Sequence, residues 1–194
     1  FRYENLPVVL EFETRSEAED FSKSLPAVIE KKEIAFSLKP PPPFETNSLL
    51  QELGRRFGFS AGYSMRILQE LFEHGLITYH RTDSTFVSEE GRSIAKEYLQ
   101  RLSYASWFSP RAWGEPGTHE CIRPVYSLDS FELKNFYDFS SFEKSIIKDA
   151  LKTYSLIFSR FIASQAKEVE AKKVILEINK NSFEYLIEAK SDGW

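Results

Sequence analysis

Tyr79 and Arg81 lie two residues apart in "TYHR" and have the clearest chemical use of any close pair in the chain. If this segment is a strand, Tyr79 and Arg81 share one face, while Thr78 and His80 share the other. A tyrosine hydroxyl, with a pKa near ~10, is a weak nucleophile without assistance. A guanidinium can hold a phosphate through paired hydrogen bonds and offset charge that develops during attack. The pair fits attack on a phosphodiester, although a tyrosine in a strand is more commonly a packing residue.

The histidines and the single cysteine carry weaker signals. His119 lies in a segment rich in Gly and Pro, where a lone histidine is usually polar surface; the same applies to His74 and His80. Cys121 is the only cysteine, which excludes an internal disulfide and a cysteine-cluster metal site. No fixed basic group beside Cys121 would lower its thiol pKa, so we predict a small buried residue.

Composition limits the class of protein. The chain has 194 residues, of which 42% are hydrophobic, enough for one medium domain or two small ones. Its formal charge of -4 argues against a self-sufficient nucleic-acid binder, but not against part of a larger DNA enzyme. No apolar run approaches the ~20 residues that span a bilayer, and the start resembles neither a signal nor a transit peptide. We expect a cytoplasmic chain with no membrane partner, and a piece of something longer.

Strand-like segments flank a helical middle. Pro40 to Pro43 cannot continue a helix and favour an extended connector, which is the best candidate domain boundary; a proline-rich ligand for another protein is the alternative. This order indicates a helical domain inserted into a β-domain, an α+β fold. The flanking predictions are a strand over 6–13, a helix over 16–25, a strand over 27–38, and a hairpin of strands over 172–178 and 182–189.

Within the middle, cap signals place the helices. Thr46 or Asn47 is expected to cap the first helix and Ser60 the second, with Gly75 just beyond its end. Two short helices joined by a turn that contains Gly match the helix-turn-helix pattern, so "LITYHRTDST" is predicted to be the first strand of a wing.

Two further helices are predicted after the wing. Ser88 begins one, and a capping box of Ser140 with Glu143 opens a long helix over 141–165. The segment 103–128 between them, rich in Gly and Pro, is predicted to be irregular.

Three ordered motifs resemble the type IA DNA topoisomerases. "PPPPFETNSLL" followed by "GLITYHRTDST" is similar to that family's active-site region. "GTHECIRPV" (117–125) resembles its "GAHEAIRPT", and "YSLIFSRFIASQ" (154–165) resembles its "YxLIxxRFxASQ". Within the family, "HECIRP" and the preceding "SPRAWGEPG" look most like reverse gyrase. The ordered set spans more than half of the chain, which makes the resemblance specific.

The resemblance implies roles for individual residues. Tyr79 would attack DNA to form a 5′-phosphotyrosine and a free 3′-hydroxyl. Arg81 would position the scissile phosphate and His119 would contact it near the nucleophile. Thr78 and Arg123 match positions that would touch the DNA backbone. A second strand would pass through the gap before resealing.

The resemblance also implies a domain arrangement. Residues 39–166 would form a mainly helical, winged-helix-like (CAP-like) catalytic-tyrosine domain. Residues 1–38 and 167–194 would be parts of a β-rich arch domain. The expected partners are single-stranded DNA at the cleavage site and the remaining domains or subunit of the enzyme, and the expected location is the nucleoid.

The cofactors that the family uses are expected outside this chain. The "DxDxE"-type cluster of the Mg²⁺-binding Toprim domain is missing from the sequence, as is the glycine-rich phosphate loop with which a helicase-like domain binds ATP. We therefore expect no metal site here and no activity from the chain alone. Two alternatives remain: a non-catalytic winged-helix DNA-binding module, which the acidic balance of "AGYSMRILQELFEHG" disfavours, and a purely structural interaction domain.

Overall fold

The computed structural model describes residues 2–3, 6–7, 10, 12–23, 29–178 and 181–190. The chain divides into two compact units. One contains Phe1–Lys39 and Glu168–Trp194, and the other contains Pro40–Lys167. The fold is α+β: the first unit contains the β-strands and one helix, and the second unit contains the other helices. Among the residues described, no helix is both long and apolar enough to cross a bilayer.

The first unit contains an antiparallel sheet of three strands in the order β3 (Ile29–Leu38), β4 (Val169–Ile178) and β5 (Asn181–Lys190). Opposite Lys172 and Lys173 the paired residue in β5 changes from Glu188 to Leu186, so the extra residue of the β-bulge at this point lies in β5. The elements of this unit are β1 (Arg2–Tyr3), β2 (Leu6–Pro7), α1 (Arg15–Lys23), β3 (Ile29–Leu38), β4 (Val169–Ile178) and β5 (Asn181–Lys190).

Most sequence predictions for this unit are confirmed where residues are described. The helix over 16–25 appears as α1, and the strand over 27–38 appears as β3; residues 24–25 and 27–28 lie outside the described ranges. The predicted strand over 6–13 is wrong beyond Pro7, because Leu10, Phe12 and Glu13 are not in a strand. Residues 8, 9 and 11 of that prediction lie outside the described ranges.

The second unit packs helices around an apolar core. Leu49 and Leu53 of one helix, Ile67 and Leu71 of the next, and Tyr154 of the last are all at most 1% exposed. The helices are α2 (Thr46–Phe57), α3 (Ala61–Glu73), α4 (Glu89–Arg101), α5 (Ser130–Phe136) and α6 (Ile147–Ser164), with a short 3-10 turn at Ala105–Trp107.

Three helix starts show which cap predictions succeeded. Ser60 caps α3 by accepting from Tyr63 N–H, and Ser88 caps α4 by accepting from Gly91 N–H; both predictions are confirmed. The prediction of Thr46 or Asn47 as the first cap is wrong. The side chain of Glu45 caps α2 instead, in a capping box with Ser48.

The end of α3 is confirmed as predicted and determines how the next segment leaves the helix. Gly75 follows the C-cap His74 in a left-handed conformation, with φ 67°. Its N–H donates to Phe72 O, and the N–H of Leu76 donates to Leu71 O. This is a Schellman motif, which needs a residue that tolerates positive φ.

The second half of the unit differs from the predictions at two places. The long helix begins at Ile147, not at 141, and no side chain caps it. Ser140 bonds to Asp138 rather than to Glu143, so the predicted capping box does not form. Sequence reasoning also missed α5, although Asp129 and Glu132 form a capping box at its start.

The predicted wing strand is wrong as well. The only β-type pairing of 75–85 within the described ranges is an isolated bridge between Ile77 and Pro124. Beyond this bridge, the N–H of Arg123 donates to Thr78 Oγ1 and the N–H of Ile122 donates to Phe44 O, so the pairing does not continue. The helix-turn-helix order is present, since residues 58–60 separate α2 from α3, but the winged-helix form of the domain is not confirmed.

Candidate active site around Tyr79

The segment that carries Tyr79 alternates in exposure, although it is not a strand and bends at Thr78, His80 and Arg81. Tyr79 is 36% exposed and Arg81 is exposed, whereas His80 and Thr82 are buried. The alternation of exposed and buried side chains agrees with the prediction for Tyr79, His80 and Arg81. Two side chains suited to phosphate chemistry therefore face solvent side by side in the sequence.

Thr46, at the start of α2, holds the buried side of this segment. Its N–H donates to Thr82 O (2.9 Å), and its Oγ1 accepts from Thr82 N–H (2.9 Å). The same hydroxyl lies 2.7 Å from His80 O and 2.8 Å from Thr82 O. These bonds occupy the hydroxyl that a cap would have used, which explains why Glu45 caps α2 instead.

His119 lies against Tyr79. The two ring centroids are 4.8 Å apart, with the planes tilted by 40°. The edge of Phe72 packs on Tyr79 at 5.4 Å, so the tyrosine ring is held between α3 and the His119 segment. His119 is exposed. The structure thus brings together two of the predicted site residues, which are 40 positions apart in the sequence.

Thr78 joins the tyrosine segment to the 121–125 segment. Its Oγ1–H donates to Cys121 O (2.7 Å), and its N–H donates to Arg123 O (3.0 Å). The N–H of Arg123 donates back to Thr78 Oγ1 (3.0 Å). Thr78 was predicted to contact DNA; the structure shows its hydroxyl engaged within the protein, where it fixes the spacing of the two motifs.

Arg123 is buried beneath the site. It is 2% exposed, and its Nε–H and one Nη–H donate to the two carboxylate oxygens of Glu120, at 2.8 and 2.7 Å. Its other Nη donates to Pro124 O at 2.9 Å. A direct DNA contact, as predicted from the motif, would require this guanidinium to leave Glu120. Sequence reasoning missed Glu120, although opposite charges three residues apart are a visible signal.

The carboxylate of Glu120 is stabilised in its charged form. Burial would raise its pKa, but the hydrogen bonds and charge of Arg123, with a hydrogen bond from Ser88 N–H, lower it below its ordinary value of 4.5. Ser88 is the cap of α4, and a Cβ on Gly91 would lie 2.8 Å from Arg123 Nε. The ion pair is therefore packed against the first turn of α4.

Two other buried groups near Tyr79 are poor candidates for chemistry. Cys121 is fully buried, and burial with the nearby Glu120 charge raises the pKa of its thiol to about 12. This confirms the predicted inert residue. The expectation of polar surface is wrong for His80, which is fully buried, and neither of its ring nitrogens has a hydrogen-bond partner among the described residues. Burial, together with the Arg81 charge, lowers the pKa of His80 and favours its neutral form.

Nothing near Tyr79 resembles a metal centre. Within the described ranges, no group of three or more His, Cys, Asp or Glu side chains could hold a metal ion. The carboxylate of Glu120 is engaged by Arg123, which leaves Asp83 as the exposed acid of the tyrosine segment. One free carboxylate does not make a Mg²⁺ site without further oxygen ligands. These residues do not fit that ion.

A sequence model of the DNA topoisomerase family matches residues 8–194. The chain belongs to the type IA DNA topoisomerase family. Among solved structures, this topoisomerase chain is similar to full-length topoisomerase I from Thermotoga maritima, with a TM-score of 0.68 and 28% identity. That match covers 95% of this chain and 32% of the other.

Curated relatives of this topoisomerase chain include reverse gyrases. Reverse gyrase 1 of Aquifex aeolicus is 44% identical over 164 residues, and reverse gyrase 1 of Sulfurisphaera tokodaii is 44% identical over 190 residues. The matches cover 84% and 94% of this chain but only 14% and 16% of those relatives. The topoisomerase chain therefore spans about one sixth of their length.

Proposed function

We propose that this chain is the tyrosine-bearing part of a type IA topoisomerase of the reverse gyrase kind, and that Tyr79 is its nucleophile. The phenolic oxygen attacks a DNA phosphorus and loses its proton, while the bond from phosphorus to the 3′ oxygen breaks and that oxygen takes up a proton. The products are a 5′-phosphotyrosine and a 3′-hydroxyl. Attack by that hydroxyl on the phosphotyrosine reseals the strand after another strand has passed. The bond energy is conserved, so resealing needs no nucleotide.

The observation that carries this proposal is the placement of Tyr79. Its ring lies 4.8 Å from that of His119, beside an exposed Arg81 that bonds to no described residue. In this role Arg81 grips the scissile phosphate, and His119 donates a hydrogen bond to one of its oxygens. Thr78 and Arg123 act on DNA indirectly, by holding the segment that carries Tyr79. Arg123 would contact DNA directly only if its guanidinium left Glu120 when DNA binds.

We also propose which domains the chain provides and which domains it needs for activity. Residues 39–166 form the catalytic-tyrosine domain, and 1–38 with 167–194 contribute to a β-rich arch. Mg²⁺ belongs to a Toprim domain and ATP to a helicase-like domain, both outside these residues, so the chain alone neither relaxes nor supercoils DNA. Its partners are single-stranded DNA and those domains, and its place is the nucleoid.

One experiment tests the proposal. The chain is mixed with a Toprim-bearing partner fragment, Mg²⁺ and a 3′-end-labelled single-stranded oligonucleotide, and then denatured. We expect a labelled covalent adduct that Tyr79→Phe abolishes and that Tyr104→Phe, at a tyrosine 44% exposed, leaves intact. Without the partner fragment we expect no adduct.

The negative outcomes of that experiment separate the alternatives. Tight duplex binding with no adduct under any condition would favour a non-catalytic DNA-binding module. An adduct that survives Tyr79→Phe would assign the nucleophile to another residue.

A further inference from the structure

A cavity of about 570 Å³ opens between α2, α5 and α6, away from Tyr79. The tyrosine segment bonds to Thr46 at the start of α2, whereas Arg56 and Phe57, at the other end, line the cavity. Eleven residues of helix separate the two ends by about 17 Å. The cavity is therefore a different site from the one around Tyr79.

The lining of this cavity is strongly cationic. It contains Arg56, Lys134, Lys148 and Lys152, and none of the lining residues described is Asp or Glu. On α6 the lining positions 148, 151, 152, 155, 156 and 159 recur at helical spacing, so they form one continuous face.

Nearby carboxylates neutralise only part of this charge. Glu52 pairs with Arg56, and Asp149 pairs with Lys152 at 2.9 Å. Lys134 and Lys148 form no ion pair with any described residue. A positive patch with two unpaired lysines, on a chain of formal charge -4, indicates an anionic ligand.

An aromatic ring and hydroxyl groups complete the lining. Phe131, on α5, is 73% exposed and lies at the cavity. A base can stack on such a ring, because every base presents a π-face. Hydroxyl groups at the lining can donate to phosphate oxygens, and they belong to Ser130, Ser155 and Ser159.

We propose that this pocket binds a single DNA strand, with phosphates on Lys134 and Lys148 and a base stacked on Phe131. Cations with an exposed aromatic ring are the combination that single-stranded nucleic acids use. The choice of DNA rests on the proposed function, but the pocket would hold the strand at a distance from Tyr79 and without covalent chemistry.

Two matched pairs of variants test the pocket. Binding of a fluorescein-labelled single-stranded oligonucleotide to the chain is measured by anisotropy without Mg²⁺, over a range of salt concentrations. Lys148→Glu is compared with Lys96→Glu, since both lysines are exposed, helical and free of ion pairs with described residues. Phe131→Ala is compared with Phe136→Ala, since Phe136 is 79% exposed on the same helix but does not line the cavity.

The expected effects differ within each pair. Lys148→Glu should weaken binding about tenfold and reduce the salt slope by about 1, with less than about a twofold change for Lys96→Glu. Phe131→Ala should weaken binding at least about fivefold, and Phe136→Ala less than about twofold.

Several results would contradict the proposal that this pocket binds a single DNA strand. Equal effects of the two variants within either pair, or no measurable binding of DNA, would reject the proposed single-strand site. If the pocket instead bound an acidic protein partner, the pocket variants would leave DNA binding unchanged. Duplex DNA binding as tightly as the single strand, with no effect of Phe131→Ala, would reject the single-strand assignment. The anisotropy assay needs no cleavage. A missing covalent adduct would therefore contradict the proposed function, while the differences in DNA affinity within each pair of variants would still test the pocket.

Discussion

Two arginines beside Tyr79 have opposite surroundings. Arg81 is exposed and bonds to no residue within the described ranges, whereas Arg123 is 2% exposed and bonds to both oxygens of Glu120. Both belong to motifs of the same family. The difference shows that the site has an exposed layer able to meet a phosphate and a buried layer that holds the exposed one in place.

The largest expected effect is on the buried layer. Arg123→Met should lower the free energy of unfolding by about 3 kcal/mol, because it leaves the largely buried Glu120 carboxylate without its partner. Urea denaturation measures this loss. The double variant Glu120→Met with Arg123→Met should recover much of the stability, since no uncompensated charge remains. If Arg123→Met were as stable as the unchanged chain, Arg123 would not belong to a buried layer that stabilises the site.

The exposed layer should show the reverse pattern. Arg81→Ala should reduce the rate of adduct formation with the Toprim-bearing partner about 100-fold, equivalent to about 2.7 kcal/mol of lost transition-state stabilisation. Its stability should change by less than about 0.5 kcal/mol. Arg66→Ala, at another exposed arginine, is the control and should change neither quantity. Loss of stability in Arg81→Ala would place Arg81 in the framework instead.

A smaller effect should arise where α4 packs on Arg123. Gly91→Ala would put a Cβ 2.8 Å from Arg123 Nε and 3.0 Å from Val87 Cγ1. We expect a loss of about 1–3 kcal/mol by thermal or urea unfolding. Gly62→Ala is the matched control, because a Cβ there meets nothing within 4 Å and alanine favours a helix. A harmless Gly91→Ala would mean that Arg123 is free to move.

Acid should affect the buried layer mildly. The folded-state pKa of Glu120 is lowered, so its pair contributes fully above the ordinary value of 4.5 and loses that contribution as the pH falls through the folded-state pKa. Between pH 7 and pH 3, the unchanged chain should therefore lose more stability than Glu120→Gln does. Parallel losses in the two proteins would show that this ion pair does not contribute to acid sensitivity.

The local parts of this arrangement could be predicted from the sequence. Ser60, Ser88 and Gly75 act on backbone groups within a few residues, so their capping roles follow from spacing alone. The missed helix α5 had the same kind of signal in Asp129 and Glu132. Alternation predicted an exposed Tyr79 and a His80 that turns away from it, and the exposures agree although the segment is not a strand.

The remaining features depend on contacts distant in sequence. Thr46 does not cap α2 because its hydroxyl bonds to the segment at 80–82, more than 30 residues away. The expected strand pairing stops after the bridge between Ile77 and Pro124, because the N–H of Ile122 donates to Phe44 O instead. The cationic pocket collects Arg56, Lys134 and Lys148 from three helices, and no local pattern relates them.

The identity of the nucleophile is tested most directly by locating the DNA on the protein. The covalent adduct formed with the Toprim-bearing partner is digested with nuclease and protease, and the peptides are analysed by mass spectrometry. We predict a nucleotide linked through its 5′ phosphate to Tyr79. A nucleotide on any other residue, or on the partner fragment, would contradict the account of this site.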